Sequence, residues 1–457
     1  MTPRSAALLR QLGVVSATAL VVSNMIGSGI LTTTGFLAEQ LGSARWVLLI
    51  WAVGAVCALA GAFCYSELGV NFPSSGGEYV YLTQAYGPAW GFMTGWASFF
   101  AGFSAPIAAA ALGFSDYLGH FFPALRLDSE WHVVGSGEWE FKLGWAQVVA
   151  CGLVAVFTAL NCLGVRRTAR VQNVLTSIKV LVLIAFIVTG FAFGGGSWQN
   201  FTQPAVRTST TPIFAQFFVS LFYIYFAYSG WNAATYIAEE LRQPARTLPL
   251  SLTFGTALVA ALFLALNVLF IYAVPLESMK GVVAIGALAA THLFGPAVAG
   301  VFAAAMALSL LATVNAMVTI GPRVYYAMAK NGAFFGVAAK VDSRFHTPVI
   351  AIVLQGICTM LMTLSPFLNL LLYIGLLLNF FAVMSVASLL VFRRRQGWRK
   401  LGVVNFAYPI LPVLFIGIGI WMTIFGVTLR PVVSGVAALT LAVGALLYRV
   451  RTRRADG

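Results

Sequence analysis

Two short stretches set glycine beside serine or asparagine within otherwise apolar runs. One is Asn24-Met25-Ile26-Gly27-Ser28-Gly29-Ile30; the other is Ala227-Tyr228-Ser229-Gly230-Trp231-Asn232. A helix interrupted at such a point splits into two halves. The start of the second half presents free N–H groups and a positive dipole end, which bind a carboxylate. The end of the first half presents free carbonyls, which accept from an ammonium. Both poles lie a few ångströms apart, the scale of an α-amino acid's zwitterionic head. A third residue with chemical potential is Lys179, the only basic residue well inside an apolar run. It sits about eight residues, or about 12 Å of helix, from the run's start. A charge at membrane depth costs several kcal/mol unless paired or hydrated, roughly 2.5–3.5 kcal/mol on insertion scales. Lys179 therefore either exchanges protons or tethers a broken helix through its backbone carbonyls, unless it snorkels to an interface.

These residues must be held by membrane-spanning elements. The chain is 60% hydrophobic and 9% charged, where soluble domains carry about 25% charged residues, and its mean hydropathy is +0.90. Apolar runs long enough to cross a bilayer recur throughout. They fall at 12–37, 45–69, 88–118, 144–163, 171–193, 213–238, 249–274, 292–328, 347–365, 367–392, 405–426 and 432–449. This predicts an all-α membrane protein of twelve spans, a single transmembrane domain over 1–457. The first run lacks a small-residue cleavage site and is read as a retained span. Continuous runs, not alternating short strands, argue against a β-barrel.

In lipid every backbone polar group must be satisfied internally, so a break at membrane depth marks a place where protein or a water-filled cavity takes over. Paired breaks in two halves of a multi-span chain point to a transporter's binding site. Glycine in a membrane helix can also be a simple close-packing position. That alternative suits Gly27-Ser28-Gly29 poorly, because its spacing is tighter. It suits the second break less, since Phe226, Tyr228 and Trp231 crowd around it.

The net charge of +14 suggests nucleic acid only until its distribution is seen. With both ends on one side, twenty of the 27 Lys and Arg fall on that side, six on the other, and Lys179 within a span. That bias orients a membrane protein with both termini cytoplasmic. Cys57, Cys64, Cys151, Cys162 and Cys358 all lie in or at the ends of spans, so no exported disulfide framework is implied. His120, His132, His292 and His346 lie outside the spans or near their ends, which disfavours an intramembrane enzyme. No metal-ligand cluster and no cofactor motif is present. Glu67, Asp116, Glu239 and Glu240 sit at span ends, where caps or interfacial ion pairs are the simplest roles. Neither break contains a mid-span carboxylate, which favours a neutral ligand.

Several stretches together resemble the amino acid–polyamine–organocation (APC) superfamily, in particular its L-type amino-acid transporters and their bacterial relatives. They are the 24–30 stretch; Phe72-Pro73-Ser74-Ser75-Gly76-Gly77-Glu78-Tyr79-Val80-Tyr81; Val171-Gln172-Asn173 leading to Lys179; Tyr228 to Pro249; and Gly321-Pro322-Arg323-Val324-Tyr325-Tyr326-Ala327-Met328-Ala329. The resemblance implies a LeuT-like fold with inverted repeats over 12–193 and 213–392, spans 1 and 6 unwound, and spans 11 and 12 (405–449) peripheral. It further implies alternating-access transport of amino acids in a plasma membrane, a bacterial inner membrane being the expected one.

Carried over residue by residue, the carboxylate falls to Ser28, Gly29 and Ile30, with Gly27 allowing the unwinding. The ammonium falls to carbonyls of Met25, Phe226, Ala227 and Ser229. Phe226 matches an aromatic gate and Asn232 an asparagine that helps fix the site. Lys179 matches a lysine standing where related folds bind sodium, expected to bridge to span 1 and to Ser309 or Thr313 of span 8, its span 1 contact closing the site from inside. Animal L-type transporters pair with a glycoprotein through a cysteine in the third outer loop. Residues 119–143 contain none, so no such partner is expected. The expected function is sodium-independent transport of neutral L-amino acids, by exchange or proton-coupled uptake. The rivals are a cationic amino-acid or polyamine permease and a non-transporting amino-acid sensor. Oligomeric state and the particular amino acid stay open.

Overall fold

The computed structural model describes residues 13–74, 76–136, 139–163, 165–330, 332, 334–342 and 347–455; at 136, 139, 165–176, 239–240, 323, 327, 330 and 451–455 it gives the backbone alone. The N-terminal arginines Arg4 and Arg10, Ser75 and His346 lie outside the described residues, as do the side chains of Gln172, Asn173, Glu239 and Glu240. Ten helices among the described residues are long and apolar enough to cross a membrane. Of the two further expected spans, span 5 lies in the helix Val165–Phe193 and span 9 in the shorter helix Val349–Met362.

Helix starts follow local chemistry. Pro88, Pro244, Pro296 and Pro431 open helices, at a position where the missing N–H is not needed and φ is already set. Span 3 runs Pro88–Leu118 through a π-helical stretch at Ser98–Ser104. The long apolar segment expected at 292–328 is two elements. A short helix, Ile285–Phe294, ends at Gly295 with φ +80, and span 8 is Pro296–Lys330. The left-handed glycine reverses the chain, a turn that an apolar run does not advertise.

The all-α expectation needs one amendment. The outer loop 119–143 contains an antiparallel hairpin of β1 (Glu130–Ser136) and β2 (Trp139–Gly144), with Val134 opposite Phe141. Its alternating apolar residues are too few to have been separated from loop by pattern.

Span 7 (Pro244–Ala273) packs along spans 1 and 2, span 8 along spans 3 and 5, and span 6 against spans 2, 10 and 11. Span 11 (Ile410–Leu429) and span 12, from Pro431, expose most of their surface and pack on span 10. The C-terminal ends of spans 2 and 10 are tied by a buried ion pair. Arg393 donates from Nε to Glu67 Oε1 at 2.7 Å and from Nη2 to Oε2 at 2.5 Å. Trp398 Nε1 and the Leu401 N–H complete the carboxylate at 2.8 and 3.0 Å. Glu67 thus fills the interfacial ion-pair role expected of a span-end acid.

Candidate functional site

Span 1 begins as helix Val14–Met25 and stops at Ile26, whose N–H still bonds Val22 O at 3.0 Å. Gly27 is extended at φ −125, ψ −156, and helix resumes at Ser28–Thr32 and then Thr34–Leu41. The break therefore falls on Ile26 and Gly27, with Ser28, Gly29 and Ile30 opening the second half. Span 6 is helical over Ile213–Tyr228 and unwinds at Ser229. Its second half, Ala233–Glu240, is 3-10 helix with a non-helical Ile237. The poorer hydrogen-bond geometry of a 3-10 helix leaves this half dependent on its neighbours.

The two breaks meet backbone to backbone. A Cβ at Gly29 would lie 2.3 Å from Ala227 Cα, and one at Gly230 would lie 2.8 Å from Asn24 C. Gly230 also has φ +97, so glycine is required there on both counts. Met25, Ser28, Gly29, Ile30, Phe226 and Ala227 are buried, whereas Asn24, Gly27, Ser229, Gly230 and Asn232 keep part of their surface. A cavity of about 700 Å³ opens elsewhere, lined by Phe36, Asp116, Arg126, Lys142, Lys280 and Phe367 among others. It does not include the break residues.

Lys179 is fully buried behind the first break. Its ammonium donates to Ile26 O at 2.6 Å, Ser23 O at 3.4 Å and Thr313 Oγ1 at 3.0 Å. A cation so placed neutralises the negative end of the first half-helix and links it to span 8. Thr313 is a direct partner. Ser309 enters through its carbonyl, which accepts from Thr313 Oγ1 at 3.5 Å. The carbonyls Lys179 uses, those of Ser23 and Ile26, differ from the Met25 carbonyl expected to receive a ligand ammonium, so the two roles do not compete. Phe226 O, another expected acceptor, already takes the Ser229 N–H at 3.0 Å.

This arrangement brings two helix breaks together backbone to backbone, the first of them held by the Lys179 amino group. The sequence profile of the amino acid permeases matches residues 12–447. The chain belongs to the amino acid permease family. Similar proteins include large neutral amino acids transporter small subunit 2 of Homo sapiens, 30% identical over 97% of this chain and 80% of its own length. The b(0,+)-type amino acid transporter 1 of Homo sapiens is 26% identical, covering 98% of this chain and 88% of itself. Asc-type amino acid transporter 1 of Mus musculus is 27% identical, covering 97% and 81%. The permease is thus a multi-pass membrane protein of a transporter family.

Within the permease, Asn232 is held away from a purely ligand-facing role. Its Nδ2 donates to Glu78 Oε1 and, at 3.2 Å, to Tyr236 Oη. Tyr236 Oη donates to Glu78 Oε2 at 2.6 Å, and Tyr65 Oη donates to Oε1 at 3.2 Å. Glu78 falls within the 72–81 motif, where no role was expected of it. Its signal was a lone acid directly after Gly76-Gly77: Gly77 sits at φ +51, and a Cβ there would lie 2.9 Å from the Tyr236 ring. The glycine pair lets the loop approach span 6 closely enough for the carboxylate to reach it. Among the described residues, no group of three or more His, Cys, Asp or Glu could hold a metal.

Proposed function

We propose that the permease carries neutral L-amino acids across a plasma membrane by sodium-independent alternating access, through exchange or proton-coupled uptake. The reading includes twelve spans with both termini cytoplasmic, spans 1–5 and 6–10 as LeuT-like inverted repeats, and spans 11 and 12 peripheral. In it the N–H groups of Ser28, Gly29 and Ile30 hold the substrate carboxylate. The carbonyls of Met25, Phe226, Ala227 and Ser229 receive the ammonium, Gly27 lies at the unwound turn, and Phe226 closes over the ligand from outside. Asn232 shapes the floor of the site through its tie to Glu78.

The observation that carries the proposal is the Lys179 ammonium, buried and bonded to Ile26 O and Thr313 Oγ1. A fixed cation between span 1 and span 8 supplies the charge that a bound sodium would otherwise bring. The lack of a carboxylate inside either break supports a neutral side chain, as an uncompensated cationic one would be costly to bury. Residues 119–143 contain no cysteine, which supports work without a disulfide-linked subunit, although one relative is named a small subunit.

Proteoliposomes test this directly. Uptake of a labelled neutral amino acid is expected to be stimulated by unlabelled neutral amino acids or an inward proton gradient, and to persist when sodium is replaced by choline. If no amino acid on either side alters uptake, the proposal fails. Competition by arginine or putrescine, but not by alanine or leucine, would establish the cationic permease instead, and binding without flux would mark a sensor.

A further inference from the structure

The Glu78 cluster joins two elements that alternating access must separate. Glu78 opens the short helix Glu78–Tyr86 in the loop between spans 2 and 3, outside the spans. Two of its three side-chain donors, Asn232 and Tyr236, lie on the inner half of span 6, beyond the break. The third, Tyr65, belongs to span 2. That inner half is 3-10 in geometry, off-helix at Ile237, and is hinged at Gly230. It has little internal rigidity, so its position is set by what it is bonded to.

We propose that Glu78 is the latch of the inner gate: its carboxyl group holds Asn232 and Tyr236, keeping the inner half of span 6 closed beneath the substrate site. Inward opening then requires these bonds to break and Glu78 to meet water. The groups facing Glu78 are Tyr65, Tyr236 and Asn232 by hydrogen bond, with Tyr81 and Tyr225 close by. Among the described residues no Lys or Arg pairs with it.

Burial pushes the Glu78 carboxyl above its ordinary value, and the bonds from Tyr236, Tyr65 and Asn232 oppose that rise only in part. On opening, the hydrated group returns toward the ordinary carboxylate range. The closed form therefore binds the proton more tightly, so acidification of the inner side stabilises the latch. Its stabilisation is lost as pH rises through the raised closed-state value. Opening releases that proton inward.

The latch rests on the transport reading, but it is tested without substrate, by amide hydrogen exchange of residues 229–241 in lipid nanodiscs. Thermal shift by amino acids, run in parallel, reports on the transport reading separately. Glu78→Ala is expected to speed exchange of this segment at least tenfold while span 7 is unchanged. Glu78→Gln, a neutral mimic that still donates and accepts, is expected to stay within about twofold of the parent at acidic pH. Parent exchange is expected to quicken as pH rises beyond the intrinsic base dependence measured on span 7. Tyr236→Phe, which removes one bond only, should fall between and remains informative if Glu78→Ala does not fold. Exchange of 229–241 unchanged in Tyr236→Phe and Glu78→Ala, or equally fast in Glu78→Gln and Glu78→Ala, overturns the latch.

Discussion

Adding one methyl group at Gly29 should disable the permease while the same addition at Gly27 should not. At position 29 a Cβ would stand 2.3 Å from Ala227 Cα and 2.7 Å from Ala227 Cβ. Carbon atoms pack at about 3.5–4.0 Å, so spans 1 and 6 must part by about 1 Å. The obstacle is backbone, which cannot rotate aside. Overpacking of this kind costs roughly 1–3 kcal/mol, and a misplacement of about 1 Å can cost ~100-fold in a site that depends on position. At position 27 a Cβ would meet only Thr313 Cγ2, at 3.5 Å, and the extended φ of −125 suits any residue. The assay is amino-acid-induced thermal shift on each purified variant, followed by uptake in proteoliposomes. Gly29→Ala is expected to melt several degrees lower and to lose binding by about two orders of magnitude. Gly27→Ala should bind within about threefold of the parent, under ~1 kcal/mol. Parent-like binding and uptake by Gly29→Ala would refute the close crossing of the two breaks.

Three further outcomes are expected. Lys179→Ala should fold but lose most turnover, because Ile26 O loses its donor; a buried unmet acceptor costs roughly 1–3 kcal/mol, and near-normal uptake at acidic and neutral pH would count against its role. Glu67→Ala leaves Arg393 buried without its carboxylate, and losing one member of a buried pair costs roughly 3–5 kcal/mol; a melting temperature matching the parent would contradict that tie. Gly230→Ala should cripple the protein more than an alanine at Gly13, which has no atom within 4 Å of a built Cβ; expression and thermal melting of the pair compare them.

Much of the site was legible because its signals are local. A polar, glycine-bearing interruption in an apolar run shows in the order of residues, since backbone hydrogen bonds in lipid must close within a few positions. The depth of Lys179 was readable for the same reason. Its partners were not: Ile26 and Thr313 stand 153 and 134 residues away from it. The resemblance proposed span 1 and Ser309 or Thr313, and the structure shows the ammonium on the Thr313 hydroxyl while Ser309 contributes only a carbonyl. Asn232 was expected to help fix the site, but its bond to an acid from a loop 154 residues earlier left no local signal. The split of the 292–328 segment escaped because Gly295 interrupts it without any change in hydropathy. The β-hairpin escaped because its strands are short and lie in a loop.

By itself the sequence determined that this is a multi-span membrane chain with two interrupted spans and one internal cation, because each of those properties follows from neighbours in the chain. Only the tertiary structure decided that Gly29 lies on Ala227 and Gly230 on Asn24, that Lys179 holds Ile26, and that Glu78 holds the second half of span 6. Those pairings depend on how separate helices cross, and apolar side chains alike in hydropathy favour many crossings equally. Close backbone approach, fixed at the glycines, selects one.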